Sequence, residues 1–271
     1  MALIPPDFLD CVVAIGFDGS DNNKYWAASG FIYGDSTDER TTDEKGYSLY
    51  LVTNRHVLKG KHVVYIRFNP QEGGRAREFR VPLAESNGTP LWSAHPDSEV
   101  DIGVFRLRPE ILAKHGIQYS FFADLFHVAN RMKARETGIT EGDMVYALGF
   151  PMGLVGEERN FVILRQGCIA RIRDAYAGLS KHFLVDISIF PGNSGGPVVT
   201  KAELAAIEGT KCAQAAYLIG VVSAYIPYRD IAVSAQTQKT RIIFEENSGL
   251  AAVIQIDFVK ETIQEHLKTF G

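Results

Sequence analysis

The octapeptide Phe190-Pro191-Gly192-Asn193-Ser194-Gly195-Gly196-Pro197 sets one serine among glycines. A hydroxyl that attacks a carbonyl needs open space in front of it and backbone N–H groups turned toward the developing oxyanion, and glycine permits both. Ser194 is therefore the candidate nucleophile. A serine hydroxyl is a weak nucleophile until a base takes its proton, so the reading demands a histidine and a carboxylate to orient it. Both stand upstream. His56 lies in Leu51-Val52-Thr53-Asn54-Arg55-His56-Val57, just past an apolar run that reads as a strand end, and Asp101 opens the strand-like Asp101-Ile102-Gly103-Val104-Phe105-Arg106-Leu107.

Outward from these stretches the chain reads as short strands separated by turns. In the first half the β-rich runs are 11–17, 26–33, 47–53, 62–68, 78–82 and 101–107, with Asp18-Gly19-Ser20-Asp21-Asn22-Asn23 as the first turn. Residues 109–115 have helical spacing and begin a less regular connection. The second half continues with 144–150, 160–173, 183–187, 197–200, 217–225 and 250–256. Strands at this density predict barrels or a sandwich rather than alternating βαβ units. From Asp257 the period changes: Val259, Ile263, Leu267 and Phe270 share one helical face, with Asp257 as the predicted N-cap. This helix is expected to pack on the second half.

The order His, Asp, Ser, at separations of 45 and 93 residues, together with Thr-Asn-Arg-His-Val, Val-Asp-Ile-Gly-Val and Gly-Asn-Ser-Gly-Gly-Pro, resembles the trypsin-like serine proteases. Within that group the chain is most similar to the disulfide-free bacterial branch that includes HtrA/Deg-type protease domains. The resemblance implies an all-β fold: two six-stranded antiparallel β-barrels with the active site in the cleft between them and a C-terminal α-helix. On that plan a single protease domain spans 1–271, with the first barrel at about 8–115, a connection at about 116–140, the second barrel at about 141–256 and the helix at 257–270. His56 and Asp101 come from the first barrel and Ser194 from the second. Asp97, four residues before Asp101, is a rival, but the family's orienting Asp opens a strand such as Asp101-Ile102-Gly103-Val104. HtrA-type proteins add a peptide-binding PDZ domain of roughly a hundred residues. The sequence leaves no room for one, so PDZ recognition, a chaperone role and caged assembly are not expected.

The implied roles follow the handling of one proton. His56 takes it from Ser194 and returns it to the leaving amine, Asp101 fixes the imidazole tautomer, and the N–H groups of Gly192 and Ser194 form the oxyanion hole. The specificity pocket carries over to Ser188, Ile189, Ser223, Ala224 and Tyr225. Ser188 replaces the Asp that selects basic side chains in trypsin, and Ile189 and Tyr225 narrow the pocket, so small aliphatic P1 residues are expected. Asn193 replaces the Asp that pairs with a newly cut N-terminus, so activation by propeptide cleavage is not expected.

The remaining features set bounds. With 271 residues, 46% hydrophobic, the chain can bury a sizeable core. Its net charge of −4 offers nothing to nucleic acid, and Arg75, Arg77 and Arg80 beside Gly73-Gly74 read as a solvated loop. The sequence shows neither an N-terminal signal nor an apolar run of the ~20 residues a membrane span needs. Cys11, Cys168 and Cys212 are odd in number and far apart, which predicts free thiols and a cytoplasmic location. No metal or other cofactor is expected: the cysteines form no Cys-x-x-Cys pair, and His62, His95, His115, His127, His182 and His266 read as surface or satisfied polar residues. Gly149-Phe150-Pro151-Met152-Gly153-Leu154-Val155-Gly156 lacks a phosphate-loop lysine and reads as a turn like one in bacterial relatives. The expected partner is a protein or peptide substrate, with a switching protein left open. Two rivals stand beside the peptidase. One is a latent or inactive binding protein on the same fold. The other is an esterase, whose Gly-x-Ser-x-Gly elbow and Ser, Asp, His order fit poorly.

Overall fold

The structure, a computed structural model, describes residues 4–20, 23–36, 46–203 and 205–270. Asp21 and Asn22 of the predicted first turn, with residues 1–3 of the amino-terminal segment, lie outside the described residues. A short helix, α1 (Asp7–Asp10), leads into β1 (Val12–Asp18), β2 (Lys24–Asp35) and β3 (Ser48–Thr53). One helical turn, α2 (Arg55–Leu58), separates these from β4 (Val63–Pro70), β5 (Arg77–Pro82), β6 (Ser93–Ala94) and β7 (Gly103–Arg106). The connection holds α3 (Pro109–Lys114), β8 (Ile117–Gln118), β9 (Phe122–Ala123) and α4 (Arg131–Thr137). The second half contains β10 (Met144–Gly149), β11 (Ile163–Arg171), α5 (Arg173–Tyr176), β12 (His182–Asp186), β13 (Pro197–Thr200), β14 (Leu218–Val233) and β15 (Thr240–Gln255), followed by α6 (Asp257–Phe270).

Strands β10-β11-β12-β15-β14-β13 close into an antiparallel barrel. The first half curls into a sheet in the order β5-β4-β1-β2-β3-β7-β6, drawn together at its ends by the Leu91 N–H to Leu83 C=O bond and an Ala84–Pro90 bridge. The result is the expected double barrel, with the first barrel open along part of its seam.

Period-2 side chains explain how the halves join. On β1 to β3, Val13, Ile15, Ile32, Leu49 and Leu51 fill the first barrel. Their neighbours Val12, Ala14, Phe31, Tyr33, Tyr50 and Val52 face outward into a shared core with Tyr146 and Leu148 of β10. The alternate residues of β10, Val145 and Ala147, fill the second barrel. Strands buried on both faces read as continuous apolar runs for this reason.

Helix α6 departs from the expected packing. It lies across the first half: His266 meets Ser93 at 3.0 Å, and Glu261 meets His95 at 3.1 Å. The sequence face omitted Thr262 and His266, both buried. Asp257 opens the helix, and its carboxylate accepts the Arg131 N–H at 2.9 Å, tying α6 to α4.

Glu141 anchors α5. Burial opposes its ionisation, but N–H groups of Ile172 and Arg173 and the Thr140 hydroxyl donate to its carboxylate, and the net effect holds its pKa down to about 2 from an ordinary 4.5. A carboxylate with a depressed folded pKa stabilises above its unfolded pKa and loses that contribution as pH falls through the folded one. Melting temperature is therefore expected to fall as pH drops from 4.5 toward 2, with a shallower fall in Glu141→Gln. Equal slopes in thermal scans would refute this.

Candidate active site

The loop from β3 into α2 delivers His56. Asp101, just before β7, holds that loop at three points: its carbonyl accepts Asn54 Nδ2 at 2.9 Å and the Arg55 N–H at 3.3 Å, and its Oδ1 accepts the His56 N–H at 2.9 Å. Its Oδ2 lies 2.6 Å from His56 Nδ1. A carboxylate at that nitrogen keeps the proton on Nδ1 and leaves Nε2 free to accept another. Ser223 Oγ adds a 3.4 Å contact to the same Oδ2. Asp97, the rival, is instead paired with Lys181 and accepts the Glu99 N–H, away from the imidazole.

The serine loop is shaped by glycine at defined points. Phe190-Pro191-Gly192-Asn193 is a turn closed by the Asn193 N–H to Phe190 C=O bond of 3.0 Å, with Pro191 second and Gly192 third at φ +102°. That is the type II pattern, which requires positive φ at its third residue. Pro191 C=O accepts the Met152 N–H at 2.6 Å. In a trans peptide N–H and C=O point oppositely, so this bond aims the Gly192 N–H away from the Met152 turn. Neither Gly192 N–H nor Ser194 N–H has an intramolecular acceptor among the described residues, as an oxyanion site demands. Gly195, at φ +83°, packs so closely that a Cβ would sit 2.2 Å from both Ser29 O and Thr53 Oγ1.

His56, Asp101 and Ser194 line one cavity of about 270 Å³ with Ile189, Phe190, Pro191, Ser223, Ala224 and Tyr225. Four of the five carried-over pocket residues are thus brought together, and Ser188 is not. Strand-like alternation buries Ile187 and Ile189 and turns Ser188 outward, where its carbonyl accepts Arg165 Nε at 2.9 Å. Phe190 and Pro191 lie in the predicted octapeptide, but the carry-over gave them no pocket role. Ser194 Oγ is bonded to Ser223 O at 3.3 Å.

Three further residues hold the loop, and the sequence reading passed over all of them as individuals. Ser29 of β2 donates from Oγ to Gly192 O at 2.7 Å, accepts the Phe150 N–H at 3.0 Å and gives its own N–H to Ser194 O at 2.9 Å. Arg67 of β4, 5% exposed, donates to the carbonyls of Val155, Gly156 and Glu157. The glycine-rich loop is the predicted turn, and within it Met152 adopts φ +56° to present its N–H. Arg75 pairs with Glu158 in a solvated loop, whereas Arg77 and Arg80 belong to β5. Ser29→Ala strands a buried N–H and a buried carbonyl, which should cost about 1–3 kcal/mol. The expected result is a lower urea midpoint with turnover reduced at least tenfold. Unchanged turnover would show that the loop holds its shape without this tether.

The double barrel places the chain among the trypsin-like peptidases. The sequence agrees: residues 28–207, about two thirds of the chain, match the family model of the trypsin-like peptidase domain, and the chain belongs to that family. The matched stretch contains His56, Asp101 and Ser194. No curated protein matches the chain. Among the described residues no cluster of His, Cys, Asp or Glu is arranged to hold a metal ion, and no helix is long and apolar enough to cross a membrane.

Proposed function

We propose that this protein is a serine endopeptidase with His56, Asp101 and Ser194 as its triad. The observation that carries the reading is the 2.6 Å contact between His56 Nδ1 and Asp101 Oδ2 in the cavity that also holds Ser194. For attack, Ser194 Oγ leaves Ser223 O and turns to Nε2 of His56, which takes its proton as the Oγ–carbon bond forms. The N–H groups of Gly192 and Ser194 receive the carbonyl oxygen as it gains charge. His56⁺ then protonates the leaving amine as the C–N bond breaks, and water releases the acyl group by the reverse sequence. Asp101 remains ionised and stabilises the imidazolium.

Ile189 and Tyr225 support a narrow pocket, with Tyr225 OH fixed by Glu245 at 3.0 Å. Cleavage after Val or Ala is expected in a peptide-library profile; a preference for Arg or Phe refutes the pocket. The neutral Asn193 accepts the Phe190 N–H through Oδ1 at 3.0 Å, which supports a loop that needs no ion pair with a new N-terminus. Three free cysteines, Cys11 buried with its thiol pKa pushed up by desolvation, support a reducing cytoplasmic setting. The glycine-rich loop supports kinship with the HtrA/Deg branch.

A second reading, a latent protease-fold binding protein that a partner switches on, is favoured by one observation: the Ser194 hydroxyl is engaged with Ser223 O. A fluorophosphonate probe separates the two. Labelling of the isolated protein that is lost in Ser194→Ala supports the enzyme, and no labelling refutes it in favour of the latent form.

A further inference from the structure

The wall of the first barrel is unfinished, and a hollow lies behind the gap. On one lip, β5 pairs with β4 along one edge and has no strand partner along the other among the described residues. On the opposite lip, β6 accompanies β7 only as far as Val104, so Phe105 and Arg106 leave that edge unpaired. The Leu83–Leu91 bond and the Ala84–Pro90 bridge close the seam at one end, and the rest opens into a cavity of about 520 Å³.

Period-2 alternation gives each lip two chemically opposite sides. Phe79 and Val81 of β5, and Phe105 and Leu107 on the other lip, pack with the core of the first barrel. The residues that alternate with them are Arg80, Arg106 and Arg108. Ile66 and Phe68 of β4, 1% and 4% exposed, line the cavity from the same core, and Phe270 of α6 and Ile111 of α3 add to its walls. The lining holds three arginines, one histidine and no carboxylate, a local reversal of sign on a chain of net charge −4. Arg106 donates to Ser48 Oγ at 3.2 Å. Arg80 and Arg108 are exposed, and among the described residues neither has a carboxylate partner.

The volume falls within the roughly 300–1,000 Å³ of small-molecule sites, which are mostly apolar with a few polar groups that fix orientation. Water finds few partners between such walls, and a neutral hydrocarbon would leave the guanidinium groups unused. A guanidinium matches a carboxylate through two parallel hydrogen bonds. We propose that the open seam binds a single-chain alkyl carboxylate, a free fatty acid. Its chain lies among Phe79, Val81, Phe105 and Leu107, and its head lies between Arg80 and Arg108. Chain inward and head outward follows from the alternation, which turns the apolar side of both lips to the core. No lining residue is shared with the cavity that holds Ser194, so the inference is independent of the peptidase reading.

The test is calorimetric titration of the full-length protein with sodium hexanoate, octanoate and decanoate, each below its micellar concentration. One-to-one binding is expected, tightening about fourfold per methylene as each is buried. Decylamine, with the same chain and the opposite charge, should bind at least tenfold more weakly than decanoate. Arg80→Gln/Arg108→Gln, at two exposed positions, should weaken decanoate at least tenfold and leave decanol unchanged. Val81→Trp, which fills the cavity from the edge strand, should weaken decanoate and decanol alike. If that variant fails to fold, the arginine pair and the amine comparison still decide. Absence of binding, equal binding of the amine, affinity indifferent to chain length, or decanoate affinity unchanged in the arginine pair would overturn the site. Co-sedimentation with phosphatidylglycerol vesicles without decanoate binding would assign the arginines to a membrane surface and overturn it as well.

Discussion

Ser194→Ala is expected to lower kcat by on the order of 10⁶-fold, to a residual rate set by binding and the oxyanion donors alone. On the peptidase reading this loss of the nucleophile removes the acyl-enzyme route altogether, so His56 and Asp101, however well placed, have no Oγ proton to handle. The variant should fold normally. Ser194 Oγ makes only a 3.3 Å bond to Ser223 O, alanine fits the same backbone, and the carbonyl contact with the Ser29 N–H is untouched. Single-turnover assays on a cleaved peptide, run beside a thermal melt, separate lost chemistry from lost structure. A variant that keeps more than a thousandth of wild-type kcat would mean that another group attacks the carbonyl, and the assignment of the triad would fail.

Gly192→Val is the second large effect, and it acts through backbone alone. A Cβ at residue 192 would lie 2.3 Å from Phe150 O and 3.0 Å from the Met152 N, while φ +102° is itself hostile to a branched side chain. The turn must open, and opening it moves the Gly192 N–H from the position where, on the peptidase reading, it meets the oxyanion. Loss of one such donor typically costs about 3 kcal/mol in the transition state, so kcat is expected to fall at least 10²-fold, with a lower melting temperature. Gly88→Ala is the control. Its φ of +88° is equally unusual, but nothing lies within 4 Å of its would-be Cβ. That substitution should cost about 1–2 kcal/mol of strain and leave kcat unchanged. Comparable loss of turnover in both variants would show that global destabilisation, not loop shape, is responsible.

The convergence of His56, Asp101 and Ser194 on one cavity was legible because the chemistry proposed for them forces local signatures. The glycines beside Ser194 are required by close approaches to Phe150, Ser29 and Leu148, and Asp101 must stand at a strand entrance to meet both the backbone and the ring of His56. Most strands were legible through period-2 burial. What escaped notice are contacts that no short window contains. Ser29 lies 163 residues from its acceptor Gly192, and Arg67 about 90 from the carbonyls it holds. A serine or an arginine in a strand carries no mark of a distant carbonyl. The outer pairing of β14 with β15 escaped for another reason: Pro227 breaks the strand pattern of β14, and Thr240 to Asn247 mixes apolar and charged residues as a loop would. The partner of α6 was misjudged because its buried Thr262 and His266 look polar until Phe258 and Ser93 satisfy them.

The alternation on β1 to β3 also bears on when, on the peptidase reading, the site can form during synthesis. While the first half alone has emerged from the ribosome, Phe31, Tyr33, Tyr50 and Val52 have only part of their cover, such as Phe122 against Phe31, because Tyr146 and Leu148 of β10 and His266 of α6, which meets Tyr50, are still to come. His56 is already made by then, but the chain with Ser194 and its glycine turn is still to come, and Ser29 has no loop to grip. On the peptidase reading, hydrolytic capacity thus arises only upon docking of the two halves.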